Sequence, residues 1–149
     1  QTTHAVSKVQ EVQERALQKW PKMGIPNYSD VCYATQNRQD AVRAIIEKGA
    51  RAVVILGSEH SSNAQELKRI AEENGALAFF VDEAAELNRE NFLGIECVGL
   101  SAAASVDRDD VEDARKFFVD VFGAEIKTVA VADESKIRFA RPKIQTSKP

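Results

Sequence analysis

The sequence predicts an α/β fold, a three-layer domain with a mainly parallel four-stranded sheet flanked by helices. Two observations carry this prediction. Residues 51–57 and 76–81 are continuous apolar runs of strand length, the pattern of strands covered on both faces. Between such runs lie segments whose apolar residues return every three or four positions, the period of a helix packed on one side. Strands alternating with helices of this length give a parallel sheet, and right-handed crossovers put every strand-to-helix turn at one end of it.

Taken in order, residues 5–20 read as an amphipathic helix through Val6, Val9, Val12, Ala16, Leu17 and Trp20, stopped by Pro21. No strand precedes this helix, so exposed apolar surface is expected on it if the unit it packs against is missing. Pro26 falls in a turn-like stretch, 24–29. Residues 30–34 read as a short extended piece and 36–48 as a helix with Ala41, Ile45 and Ile46 inward. After the strand at 51–57 comes a helix at 63–74, with Leu67, Ile70 and Ala71 at helical spacing. The strand at 76–81 leads to a short helix at 82–87 and a further strand at 95–100, in which Cys97 reads as core. A final helix at 107–122 presents Val111, Ala114, Phe118 and Val121 on one face. Residues 128–132 and 137–140 read as a terminal hairpin or an edge strand.

A chain of 149 residues, 44% hydrophobic and 29% charged, is one ordinary globular domain in size and composition. There is no run long and apolar enough for a membrane span. A net charge of −3, with basic residues scattered among acids, argues against a nucleic-acid partner. Only the tail at 138–148 is locally basic, and it reads as a solubilising end. Two cysteines, Cys32 and Cys97, are too few for a disulfide scaffold and point to a reducing, cytoplasm-like compartment. The chain opens on Gln1-Thr2-Thr3-His4 without an initiator methionine or a signal-peptide pattern, and that opening reads as a cut or processed end.

In open parallel sheets, ligands bind beyond the carboxyl ends of the strands, where helix N-termini present free N–H groups. Three polar junctions fall there. At the first, Cys32 precedes Tyr33-Ala34-Thr35-Gln36-Asn37-Arg38-Gln39; a thiol at such a position has its pKa lowered by the helix, although a buried structural cysteine is the alternative. At the second, Gly57-Ser58-Glu59-His60-Ser61-Ser62-Asn63 offers hydroxyls and an amide for an anion. Capping of the following helix explains one of these residues, not three. Neither the Walker loop nor the dinucleotide fingerprint is present, and His60 reads as a solvated loop residue. At the third, Gly99-Leu100-Ser101-Ala102-Ala103-Ala104-Ser105 is a run of small residues in which Ser105 can bind a ligand, capping of the last helix by Ser105 or Asp107 being the alternative. Three such junctions at one end of a sheet could surround a single phosphorylated ligand.

These same residues carry a resemblance. The stretch Cys32 to Gln39 resembles the segment around the third cluster cysteine of the LytB family, the iron–sulfur reductases of 4-hydroxy-3-methylbut-2-enyl diphosphate. Gly57-Ser58 followed by Ser61-Ser62-Asn63 is similar to that family's G-S-x-x-S-S-N phosphate loop, and residues 99–105 to its V-T-A-G-A-S turn. Gln1-Thr2-Thr3 resembles the end of its T-Q-T-T motif, and residues 82–94 fit the intervening segment. The likeness covers nearly the whole chain and corresponds to the C-terminal part of the family's enzymes. There are departures: Glu59-His60 replaces a usual lysine–asparagine pair, Ala103 a glycine and Val106 a proline. Where a turn needs positive φ, an alanine in place of glycine would strain it.

The resemblance implies a great deal about function. The family's enzymes hold a [4Fe–4S] cluster on three cysteines at the centre of a trefoil of α/β units, and reductively remove the substrate's hydroxyl to give isopentenyl and dimethylallyl diphosphates. By position, Cys32 would be one cluster ligand, Ser61, Ser62, Asn63 and Ser105 would bind the diphosphate, and Thr2 would join the hydrogen-bond network around the leaving hydroxyl. The other two cysteines, the diphosphate-binding histidines and the proton-delivering glutamate belong to the upstream part. One thiolate cannot hold a [4Fe–4S] cluster, so this chain alone is expected to be inactive. On this reading residues 1–28 are a helix left over from the preceding α/β unit. Residues 29–123 are the α/β domain with the cysteine and diphosphate loops, and 124–149 a strand segment and tail. The expected partners are an allylic diphosphate, the missing upstream half and an external electron donor, with no nucleic acid and no membrane. The compartment would be the cytoplasm, or the plastid stroma in a plastid-bearing source. The rival reading is a free-standing phosphate-binding or interaction domain of the same fold without chemistry.

Overall fold

The fold is built around Ala52-Val53-Val54-Ile55-Leu56, an apolar segment whose β-branched residues favour extended backbone and which forms strand β1 (Ala52–Leu56). All five of its residues are 0% exposed. In the computed structural model, which describes residues 6–24, 33–103 and 105–131, β1 is the middle strand of a parallel sheet. Strand β2 (Leu77–Val81) lies on one side and β3 (Val98–Ala102) on the other, in the order β2-β1-β3. Val54 is level with Phe79 and Leu100, and Leu56 with Val81 and Ala102.

Because side chains alternate along a strand, β1 feeds two cores. Val53 and Ile55 pack against Val42 of α2 (Tyr33–Glu47) and against Ala64, Leu67 and Ile70 of α3 (Ser62–Glu73). Val54 and Leu56 pack on the other face against Ala114 and Phe118 of α4 (Arg108–Phe122) and against Leu87 and Phe92. The result is three layers: α2 and α3, the sheet, and α4 with two 3-10 turns, Ala84–Glu86 and Arg89–Phe92. Phe92 joins the second core edge-on, with its ring 5.2 Å from Phe79 and 5.1 Å from Phe118. Helix α4 is capped at its start by Asp107, whose carboxylate accepts from the Asp109 N–H, and carries Asp109 and Asp110 in its first turn, where negative charge suits the helix dipole. The remaining helix, α1 (Val6–Lys19), precedes these layers, and apolar surface is exposed on it at Val12, 59%, and just past its end at Trp20, 55%.

Several expectations change. Three strands, not four, are present among the described residues. Tyr33 and Ala34, read as the end of an extended piece, belong to the first turn of α2; residues 30–32 lie outside the described set. The third strand starts later than 95–100, and Cys97 is exposed rather than core. Its carbonyl accepts from the Arg51 N–H at 3.0 Å, so it stands at the amino end of the sheet, away from the helix N-termini. Gly99 lies within this strand, against α2. A Cβ on it would lie 2.5 Å from Ile45 Cγ2, so only glycine lets α2 pack this closely on β3. In α4 the inward stripe runs through Ala114 and Phe118, while Val121 is exposed. Residues 128–131 form no strand, and 132, 137–140 and the basic tail lie outside the described residues.

The contact at Gly99 makes a test. Gly99→Ala should cost roughly 1–3 kcal/mol in urea unfolding. Ile45→Ala removes the opposing methyl, so the double variant should lose clearly less than the sum of the two single losses. Additive losses would show that the close approach is not what selects glycine.

Candidate functional site

All three strands run parallel, so the segments leaving their carboxyl ends converge on one edge. Backbone bonds lace that edge together. The Gly57 N–H donates to Val81 O, and the Ala103 N–H donates to Leu56 O, each at 2.9 Å. Gly57 has φ +122°, and a Cβ there would lie 2.9 Å from Ala103 Cβ and 3.3 Å from Val106 Cγ2. The loop leaving β1 and the loop leaving β3 are thus in contact through a residue that has to be glycine. Ala103 itself is buried and does not adopt positive φ, so the turn holds alanine without the strain that the loss of a glycine suggested.

The loop after β1 then turns into α3. Ser58 Oγ accepts from the His60 N–H at 3.3 Å, the Ser61 N–H donates to Ser58 O, and the Gln65 side chain donates to Glu59 O at 2.6 Å. Ser61 is the N-cap of α3, its hydroxyl accepting from the Ala64 N–H at 3.5 Å. Ser62 and Asn63 are left for other work, and they diverge. Ser62 is exposed and lines an open groove along α3 with His60, Gln65, Glu66, Lys68, Arg69 and Glu72. The cations of that groove are already paired. Arg69 bonds Glu66 at 2.6 Å and also Glu73, which raises its pKa above the usual guanidinium value, and Lys68 lies 3.8 Å from Glu72.

Asn63 points the other way, into a small pocket with Thr35, Arg38 and Leu67, and its Oδ1 is buried without a hydrogen-bond partner. Thr35 is 6% exposed, in the first turn of α2. Ser105 is exposed in the turn after Ala103, where the Val106 N–H donates to Ala103 O at 3.2 Å. The structure therefore brings Asn63 together with Thr35 and Arg38, ties the Ser105 turn to the Gly57 loop, and sets Ser62 apart on the outer groove. Sequence reasoning quoted Thr35 and Arg38 within a polar cluster but gave neither a role; their distance of one helical turn from each other was the available signal. Thr2 and Cys32 lie outside the described residues. Among the described residues no group of three or more His, Cys, Asp or Glu could hold a metal ion, so they do not by themselves fit an iron–sulfur cluster.

A family model described as LytB protein matches residues 1–118. The chain belongs to the LytB family. It is 37% identical over 145 residues to the 4-hydroxy-3-methylbut-2-enyl diphosphate reductase of Corynebacterium glutamicum, covering 97% of this chain and 44% of that protein. To the reductase of the same name from Escherichia coli O6:K15:H31 it is 36% identical over 148 residues, covering 99% of this chain and 43% of that one. The chain thus spans less than half the length of these curated relatives. Among solved structures, the Plasmodium falciparum E-1-hydroxy-2-methyl-but-2-enyl-4-diphosphate reductase superposes with a TM-score of 0.70 at 24% identity over 80% of this chain and 37% of that one. A second, described as (E)-4-hydroxy-3-methyl-but-2-enyl diphosphate reductase, the terminal enzyme of the non-mevalonate pathway, gives 0.59 at 27% identity, over 80% of this chain and 42% of that one.

In this LytB chain Gly57 and Ser61 hold the loop in different ways, and their substitutions should separate. Ser61→Ala removes one cap and should cost about 1 kcal/mol. Gly57→Ala combines positive φ with a clash of the new Cβ against the Ala103 and Val106 side chains and should cost more than about 2 kcal/mol. Equal losses in chemical unfolding would contradict the close contact of the two loops.

Proposed function

We propose that this chain is the C-terminal segment of an iron–sulfur reductase acting on 4-hydroxy-3-methylbut-2-enyl diphosphate, and that it supplies the diphosphate-binding loops and one cluster thiolate. The observation that carries the reading is the convergence of the start of α2, the start of α3 and the turn after β3 at one edge of the sheet, in a chain of the LytB family. An allylic diphosphate is a hard anion that wants hydroxyls, amides and helix N–H groups. Ser61, Asn63 and Ser105 are proposed to offer such groups at this edge and Ser62 from the outer side of α3, the Ser61 hydroxyl accepting in the cap of α3 while its O–H stays able to donate.

Cys32 immediately precedes α2 in sequence and is the proposed thiolate ligand. A [4Fe–4S] cluster, when bound, would pass on the two electrons of an external donor one at a time and offer an iron site for the departing hydroxyl. Its other thiolates would come from an upstream half, as would an electron donor from outside. Thr2 is proposed to hydrogen-bond near the leaving hydroxyl. Without those parts the chain is proposed to turn over no substrate. Loss of Cys32 would leave an anion-binding domain.

A second reading, a LytB-like binding domain without chemistry, has one observation in its favour. Glu59 sits in the anion loop with its carboxylate 67% exposed, where negative charge opposes a diphosphate.

Iron and sulfide bound per chain after anaerobic reconstitution decide between the two. The chain alone should bind no cluster, and a mixture with the upstream half of a LytB reductase should gain one and lose it with Cys32→Ser. A mixture that holds no cluster, or one indifferent to Cys32→Ser, would remove the thiolate role and leave the binding domain.

A further inference from the structure

We infer that Arg38 is a positioning residue, a clamp that fixes the β3–α4 turn carrying Ser105 against the helix that begins just after Cys32. Its guanidinium makes two bonds in different directions. Nε donates to Ala102 O at 3.0 Å, at the end of β3, and Nη1 donates to Ala34 O at 3.0 Å, in the first turn of its own helix. Side chains on a helix lean toward its N-terminus, so a long residue one turn into α2 reaches this edge without strain.

The acceptor at Ala102 is not incidental. Ala103 directs its N–H at Leu56 of β1, so the residue before it directs its own carbonyl away from β1, toward the open side of β3. Among the described residues β3 has no other neighbouring strand. That carbonyl would be an edge acceptor left to solvent, and Arg38 takes it. Ala102 also adjoins the contact of Ala103 and Val106 with Gly57. One guanidinium thereby joins α2 to the turn that already touches the α3 loop. Arginine suits the task and lysine does not, because its planar fork holds two acceptors at a fixed angle while an ammonium on a flexible stem fixes neither.

The effect of Arg38 on ligand binding rests on the diphosphate reading of these loops; the clamp itself does not. The experiment uses the 149-residue chain, its Arg38→Met and Arg38→Lys variants, amide hydrogen exchange, thermal unfolding and binding of inorganic pyrophosphate. Both variants should unfold near the wild-type midpoint. Exchange at the Ala103 and Val106 amides should quicken by about tenfold, with the β1 amides unchanged. Pyrophosphate should bind about tenfold more weakly to both, since lysine keeps the charge but not the fork. If Arg38→Met does not fold, Arg38→Lys gives the same readings. Unchanged exchange at Ala103 and Val106 overturns the clamp. So does an equal quickening across β1, which marks a general loss of stability. A loosened turn beside unchanged pyrophosphate affinity upholds the clamp and overturns its effect on ligand binding. Failure of the wild-type chain to bind pyrophosphate instead overturns the anion reading of the loops, and the amide exchange then decides the clamp alone.

Discussion

The end of β1 at Gly57 is the point on which the candidate site depends. A strand with every residue buried has both faces committed to packing and both edges committed to neighbours, so it cannot shift to accommodate a ligand. The chain must leave the sheet at the very next residue. Gly57 makes that turn at φ +122° while Ala103 and Val106 press against the space where a side chain would be. The loop leaving β1 and the loop leaving β3 are thereby held in contact, and each carries polar residues to the same edge.

Around that contact the polar groups divide by task. Ser58, Ser61 and Gln65 bond the loop to itself and to the first turn of α3. On the outer groove, Arg69 and Lys68 are spent on Glu66, Glu73 and Glu72, so little free positive charge faces an anion there. The inner pocket is different. Asn63 keeps a buried, unpartnered oxygen beside Thr35 and Arg38, and an unmet buried acceptor is costly unless something completes it. The α2 side of α3 is therefore where the polar potential of this edge remains unspent.

Much of the fold was legible because periodicity reports burial directly. The run at 51–57 holds a fully buried strand, the run at 76–81 holds an edge strand that is only partly covered, with Leu77 58% exposed, and the helices at 36–48, 63–74 and 107–122 lie within a few residues of their observed limits. The errors fell where burial depends on a partner. Cys97 looked like core because it stands in an apolar run, but the strand begins beyond it at Val98 and leaves it exposed. Val121 continues the helical spacing of α4 and is nonetheless exposed. Residues 33–34 looked extended from their place after a polar turn, yet Ala34 supplies the carbonyl that Arg38 holds.

By itself, the sequence determined the α/β class, the alternation of strands and helices, the three polar junctions and the family, because these arise from residue type and spacing along the chain. Only the tertiary structure decided which hydroxyl caps and which stays free, which face of α3 Asn63 joins, and that Arg38 reaches β3. The reach of Arg38 to β3 joins residues 64 apart in the chain, and local pattern carries no record of which segments meet.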